Sequence, residues 1–209
     1  YIIICLLLYP AVTCGQCEQI YNYDYPERYH QIGLLFGNST YDTLSIRQIL
    51  ACRDEALARK DEKAAIYLDL RRSIVYQHTG YHREEIHSLV EDMLGRAIPI
   101  DDPYLLVGIY IHRGMVNMED KNYSAALLDD LRAYDLFKKI NPRHYTDKNY
   151  PLYTIALTFY QFNDYPKALE VCSELERPMA DPFHHTLSAN LMGMCYKKKK
   201  KYDSARYWF

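Results

Sequence analysis

The sequence predicts an all-α fold built from antiparallel helix hairpins stacked as a solenoid. Three observations predict it. Apolar residues recur at three- and four-residue spacing. Alternating β-branched runs bounded by turns are nearly missing. From residue 105 onward, one turn-and-helix-start element returns three times.

Composition narrows the field before any motif is read. Of the 209 residues, 49% are hydrophobic and 25% are charged, which is enough apolar material for a core and argues against wholesale disorder. Lys and Arg number 25 against 27 Asp and Glu, so the chain lacks the basic excess of a dedicated nucleic-acid binder. Eight Gly and nine Pro exclude collagen-like or linker composition. Six Cys in this length do not make a disulfide scaffold. The unusual count is 22 Tyr beside 6 Phe and 1 Trp, and it marks no reaction.

Residues 1–15 open with an apolar run from Tyr1 to Val12. At 12 residues it is shorter than the roughly 20 needed to span a bilayer, and it has the length of a signal-peptide core. Pro10 breaks it, and the small residues Thr13, Cys14 and Gly15 suit cleavage after Gly15. The segment is read as a signal-peptide remnant or membrane-anchor fragment, with a buried strand or core helix as the alternative. Lipidation at Cys14 or Cys17 fits the preceding residues poorly. Tyr1 in place of Met, and the closing Arg206-Tyr207-Trp208-Phe209, read as cuts through a longer gene product. Export follows as an expectation, to the periplasm or to a membrane-associated place. Membrane attachment through sequence outside this chain stays open.

Residues 16–40 are expected to be irregular. Asn38-Ser39-Thr40 then caps a helix starting near Asp42. Leu44, Ile46, Ile49, Leu50, Leu57, Ala64, Leu68 and Ile74 carry helical periodicity toward Gln77, with Arg53-Asp54-Glu55 and Lys60-Asp61-Glu62-Lys63 on the exposed side. Gly80 stops that run. Arg83 to Leu94 makes a further helix, closed by Gly95 and Pro99. This helical region covers 41–104, with Gly80-Tyr81 as a degenerate repeat in which Glu84 replaces an expected Ala.

The recurring element fills 105–209. Its copies are Lys121-Asn122-Tyr123-Ser124-Ala125-Ala126, Asn163-Asp164-Tyr165-Pro166-Lys167-Ala168 and Lys201-Tyr202-Asp203-Ser204-Ala205. Tyr123, Tyr165 and Tyr202 lie 42 and 37 residues apart. Each has Ala three residues later, and a small residue nine before it: Gly114, Ala156 and Gly193. The small residue is expected to let two helices approach, the Tyr to wedge the turn, and the Ala to receive the preceding helix closely. Longer connections fall around Asn141-Pro142-Arg143 and Arg177-Pro178.

These positions resemble the tetratricopeptide repeat (TPR). Met192-Gly193 and Tyr196 stand where that family has its Leu-Gly and Tyr, followed by Tyr202 and Ala205. The copy at Gly108–Ala133 has Asn117 in place of the first-helix aromatic, and the copy at Leu152–Leu175 keeps Phe159. The resemblance implies an array of about three repeats, truncated at the C-terminus, acting as a binding scaffold. The groove lined by first helices would then be formed by Ile111, Met115 and Met118, by Tyr150, Tyr153, Leu157 and Tyr160, and by Asn190, Met194 and Lys197. Packing of these tyrosines between repeats is the competing reading. The partner implied is a protein or peptide. Only Asn190 and Lys197 are compatible with the carboxylate clamp of chaperone-binding members, so a free C-terminal carboxylate is disfavoured. The order of segments also resembles the exported N-terminal TPR regions of Bacteroidetes-type sensor kinases and transcriptional regulators. That likeness implies an interaction region of a larger signalling protein, with a free-standing exported assembly or scaffolding factor as the alternative and a helical-repeat enzyme as a third reading.

No catalytic, cofactor or metal set is read from the sequence. Nucleophile elbow, phosphate loop, GxGxxG and HExxH motifs are all missing. Cys14-Gly15-Gln16-Cys17 spells CxxC but lacks a second ligand pair. Cys52, Cys172 and Cys195 read as small buried hydrophobes. His184-His185 reads as a helix-start surface pair, and a metal site among His78, His82 and His87 is rejected because Gly80 interrupts the helix. Glu84-Glu85 and Asp129-Asp130 read as solvated faces rather than a glycan-cleaving pair. Lys197–Lys201 reads as a solvated cap of a helix end, with an anion, lipid-headgroup or nucleic-acid contact as the functional alternative. The sequence thus predicts a non-enzymatic chain that needs no cofactor and binds no nucleic acid.

Overall fold

A computed structural model describes residues 14–37, 43–141, 149–174 and 182–209. Among these the regular structure is entirely helical, as the spacing predicts. The helices are α1 (Cys14–Gln19), α2 (Glu27–Gly37), α3 (Thr43–Ala58), α4 (Glu62–Thr79), α5 (Ile86–Ala97), α6 (Pro103–Glu119), α7 (Tyr123–Phe137), α8 (Asn149–Gln161), α9 (Tyr165–Ser173), α10 (Pro182–Lys198) and α11 (Tyr202–Trp208). Short 3-10 turns cover Ile20–Asn22, Arg83–Glu85 and Ile98–Ile100. The signal-peptide run Tyr1–Val12, the cap Asn38-Ser39-Thr40, the side chains of His184 and His185, and the connections at Arg143 and at Arg177-Pro178 lie outside the described residues.

Two compact units share the chain, and the division falls inside α6, between Ile109 and Tyr110. In the first unit, α4 packs against α2, α3 and α5. That placement buries every residue from Ala64 to Leu70, the charged Asp69 included. The expected continuous helical run from Asp42 to Gln77 is in fact two helices. Lys60 adopts the left-handed conformation (φ 58°) and ends α3, and Asp61 caps α4 by accepting from the Ala64 amide at 3.1 Å. Of the charged run, Lys60 and Asp61 therefore make the turn, and Glu62 and Lys63 open α4. Gly80 (φ 69°) ends α4.

The segment 16–40, expected to be irregular, contains α1, a 3-10 turn and α2, held by bonds the sequence does not spell out. Cys17 forms a disulfide with Cys52 of α3, so neither is the simple buried or processing-site thiol expected. Tyr25 donates to Asp61 at 2.7 Å, Arg28 pairs with the same carboxylate at 2.5 Å, and Tyr29 donates to Asp102 at 3.0 Å. Lys63 also reaches Asp102, at 2.6 Å. Burial pushes the Tyr25 and Tyr29 phenols far above their ordinary range, so both remain donors at any physiological pH.

In the second unit each helix packs on its neighbour in sequence from α7 to α11, and α8 also packs on α10. Ala126, Ala168 and Ala205 are buried, as expected. The expected tyrosine wedge is not uniform: Tyr123 is 45% and Tyr202 61% exposed, while Tyr165 is half-buried. What recurs at each turn is backbone. Lys121, Asn163 and Lys200 all take left-handed φ values of 58–63°. The next amide then reaches back five residues: Asn122 to Asn117, Asp164 to Phe159, Lys201 to Tyr196, at 2.8–2.9 Å. Lys60 and the Asp61-to-Ala56 bond (2.9 Å) repeat that geometry in the first unit, with Ala65 at the buried Ala position and Glu62 where the others have Tyr. The earlier copy of the hairpin turn is therefore at Lys60–Ala65, not at Gly80-Tyr81.

Candidate functional site

The first helices of the hairpins carry the residues expected to line a groove. In each, the three positions stand at the same offsets from the small residue: Ile111, Met115 and Met118 around Gly114; Tyr153, Leu157 and Tyr160 around Ala156; Asn190, Met194 and Lys197 around Gly193. All belong to the second unit. Ile111 is buried and contributes to the core instead of a surface. Met115, Met118, Tyr153, Leu157, Tyr160 and Met194 are half-buried, while Asn190 and Lys197 are exposed. The side chain of Tyr150 lies outside the described residues. Because α8 packs on α10, the Tyr153–Tyr160 set and the Asn190–Lys197 set sit on adjoining helices. Tyr160 stacks at 5.6 Å on Tyr165 across the hairpin turn, and burial raises the Tyr153 phenol above its usual value.

Gly114 and Gly193 mark the register of the helix pairs. A Cβ at Gly114 would lie 2.7 Å from Asp130 Oδ1 and 3.5 Å from the Ala126 carbonyl. A Cβ at Gly193 would lie 2.7–3.0 Å from the Phe209 ring. In both hairpins the close partner follows the small residue by 16 positions and the tyrosine by seven. In the intervening hairpin the same count from Ala156 reaches Cys172, which is buried. Burial pushes the Cys172 thiol up to about 12 and the Cys195 thiol to about 11, so neither offers a thiolate nucleophile at neutral pH.

The pair Asp129-Asp130, expected to be solvated, is buried. Two different helices take the two carboxylates. Arg113 of α6 grips Asp129 with Nε at 2.9 Å and Nη2 at 2.7 Å, and the Asn117 amide adds a bond at 3.2 Å. Thr158 of α8 donates to Asp130 at 2.5 Å. Among the described residues, Asp130 Oδ1 has no hydrogen-bond donor. Burial pushes the Asp130 carboxyl up to about 7; the Thr158 bond opposes that rise and the neighbouring Asp129 charge adds to it. These residues hold α6, α7 and α8 together by polar bonds inside the unit. The 16-residue step from Gly114 to Asp130, shared with Gly193 to Phe209, is the signal that sets Asp130 against the preceding helix.

Among the described residues, one group has metal-ligand chemistry: His82, Glu84 and Glu85, whose ligand atoms lie within 4.8 Å of one another. His82 Nδ1 is 2.8 Å from Glu85 Oε1, and both carboxylates are exposed. His78 and His87 are not part of it. A shallow depression of about 420 Å³ lies in the first unit, against Ile20, Tyr23, Gln31 and Leu34. It includes none of the groove residues expected from the sequence.

No protein-family model matches the chain, and comparison with curated proteins and with solved structures returns no match either.

Proposed function

We propose that this chain is a non-enzymatic scaffold of stacked helix hairpins, TPR-like in its right-handed solenoid plan, that binds a protein or peptide segment. The observation that carries the proposal is the run of half-buried Met, Leu and Tyr side chains at one register on successive first helices: Met115 and Met118, then Tyr153, Leu157 and Tyr160, then Met194. Half-buried aromatic and thioether groups supply contact area at low entropic cost and adapt to varied partners. The repeated turn geometry supports the solenoid plan, because hairpins closed by the same turn offer similar faces for stacking. The Cys17–Cys52 disulfide supports an exported, oxidising location, since such bonds are rare in reducing compartments. In this reading the chain is the interaction region of a larger signalling or regulatory protein.

Selection of peptides from a random display library tests the binding surface. Selected peptides are expected to lose at least about tenfold in affinity when Tyr153→Ala and Leu157→Ala are introduced together. Peptides that bind the double variant unchanged, with its helical circular dichroism intact, remove this face as the site.

A further inference from the structure

The turn between α10 and α11 differs from the turns that share its backbone. Lys197 to Lys201 run without interruption, and all but Lys199 are well exposed. The equivalent turns read Arg59-Lys60-Asp61, Asp120-Lys121-Asn122 and Phe162-Asn163-Asp164, so this backbone does not require a lysine run. Part of the run has a folding rationale. Lys200 fills the left-handed position that Lys60 and Lys121 also fill, and Lys197 and Lys198 close α10 where cations complement the helix dipole.

Lys201 has no such rationale. It holds the cap position at which Asp61 and Asp164 accept from the Ala64 and Lys167 amides, and it offers no acceptor. It also sets a positive charge at the start of a helix, where the dipole opposes it. None of the five lysines has a described carboxylate within 4.0 Å. The lysines therefore repel one another at this tip, with Asp203 in the first turn of α11 as the neighbouring acidic residue in sequence. Tyr202 extends the patch with a ring that is 61% exposed, and the exposed Arg206 follows one turn later on the same side of α11.

The chemistry of the patch selects its partner. Lys197, Lys198, Lys200, Lys201 and Tyr202 all lie open to solvent. Five lysines and no arginine in the run provide diffuse charge without the forked geometry that reads individual phosphates. Many mobile anionic headgroups on a flat surface match that pattern, and an exposed tyrosine beside lysines matches the polar–apolar boundary of a bilayer. We propose that the α10–α11 tip, Lys197 to Tyr202, docks on an anionic lipid bilayer.

Sedimentation of the whole chain with lipid vesicles tests this. Vesicles of phosphatidylcholine containing phosphatidylglycerol are expected to carry the protein down at about 0.1 M salt, and release is expected at about 0.5 M. Pure phosphatidylcholine vesicles should leave it in solution. Replacing Lys198, Lys199 and Lys201 together by Gln should weaken partition about tenfold or more, whereas the matching Lys→Arg variant should retain it. Tyr202→Ala should weaken it less than the Gln variant does. Equal partition onto neutral vesicles, or anionic partition unchanged in the Gln variant, overturns the proposal. Binding to duplex DNA without binding to vesicles overturns it as well. Circular dichroism of each variant separates a lost contact from a lost fold.

Discussion

Arg53 and Asp69 meet as an ion pair of 2.8 Å at the hairpin position where Gly114 meets Asp130 and Gly193 meets Phe209. The two residues are again 16 apart. An arginine therefore stands where the later hairpins have their smallest residue, and the opposing carboxylate is the anchor that accommodates it. Asp69 is fully buried and also receives Arg72 and Arg96, each at 3.0 Å, so three guanidinium groups from α3, α4 and α5 converge on one carboxylate.

Removing Asp69 takes away the buried carboxylate that the three guanidinium groups share, although Arg96 keeps Glu62 and Asp92 and Arg53 keeps Asp54. Asp69→Ala is expected to cost about 3–5 kcal/mol in urea unfolding. The paired change Arg53→Met with Asp69→Leu is expected to cost less than the sum of its single changes, because it removes one charge from each side. Additive losses would show that the Arg53 contact contributes nothing of its own.

The two glycines are expected to respond differently. Gly114→Ala drives a methyl into Asp130, which is buried and tied to Thr158, so a loss of about 1–3 kcal/mol is expected. Gly193→Ala meets the ring of Phe209, which is largely exposed and free to swing aside, so the loss should be below about 1 kcal/mol. Thermal unfolding of both variants decides it, and equal losses would contradict the register assigned to Asp130.

Asp130 makes stability depend on pH in a direction opposite to that of most carboxylates. Its folded value is raised from 3.8 to about 7, so between those limits the folded chain holds a proton that the unfolded chain releases. Its contribution is complete below about pH 4 and is lost as pH rises through about 7. Asp130→Asn should therefore raise the melting temperature at pH 8 and confer less or none of that gain at pH 5. A gain independent of pH would show that Asp130 ionises normally in the folded chain.

Side-chain tests separate turn backbone from turn tyrosine. Tyr123→Ala and Tyr202→Ala are expected to change stability by no more than about 0.5–1 kcal/mol, since both rings are largely exposed. Ala126→Leu, at a fully buried position between helices, is expected to cost about 1–3 kcal/mol or more. Denaturant titration of the three variants gives the comparison.

The disulfide ties α1 to α3 across 35 residues of chain. Cys17→Ser with Cys52→Ser should cost about 2–4 kcal/mol and raise amide exchange in α1. Intact-mass measurement before and after reduction checks that the bond forms in the purified protein, and an unchanged mass would remove it.

Helical class, the buried Ala126, Ala168 and Ala205, and the close approach at Gly114 and Gly193 were legible because each depends on spacing within one or two helices. The hairpin at Lys60 was not, since Glu62 and Arg53 occupy the positions that Tyr and Gly mark elsewhere. Asp129 and Asp130 looked solvated because a carboxylate pair on one helix says nothing of what packs on either side; α6 and α8 both do, through Arg113 and Thr158. Cys17 and Cys52 meet only once α1 lies on α3. Of the groove residues, periodicity gave the register but not the burial, which is why Ile111 turns inward while Met115, one turn on, does not.

The left-handed turn residue sets which positions tolerate exchange. Main-chain atoms close each hairpin, and Lys60, Lys121, Asn163 and Lys200 occupy the crucial position interchangeably. Such a module carries its own stop and restart signal. Exchange among residues that tolerate the left-handed conformation leaves the closing bond in place, while the buried alanine five positions on stays fixed in size.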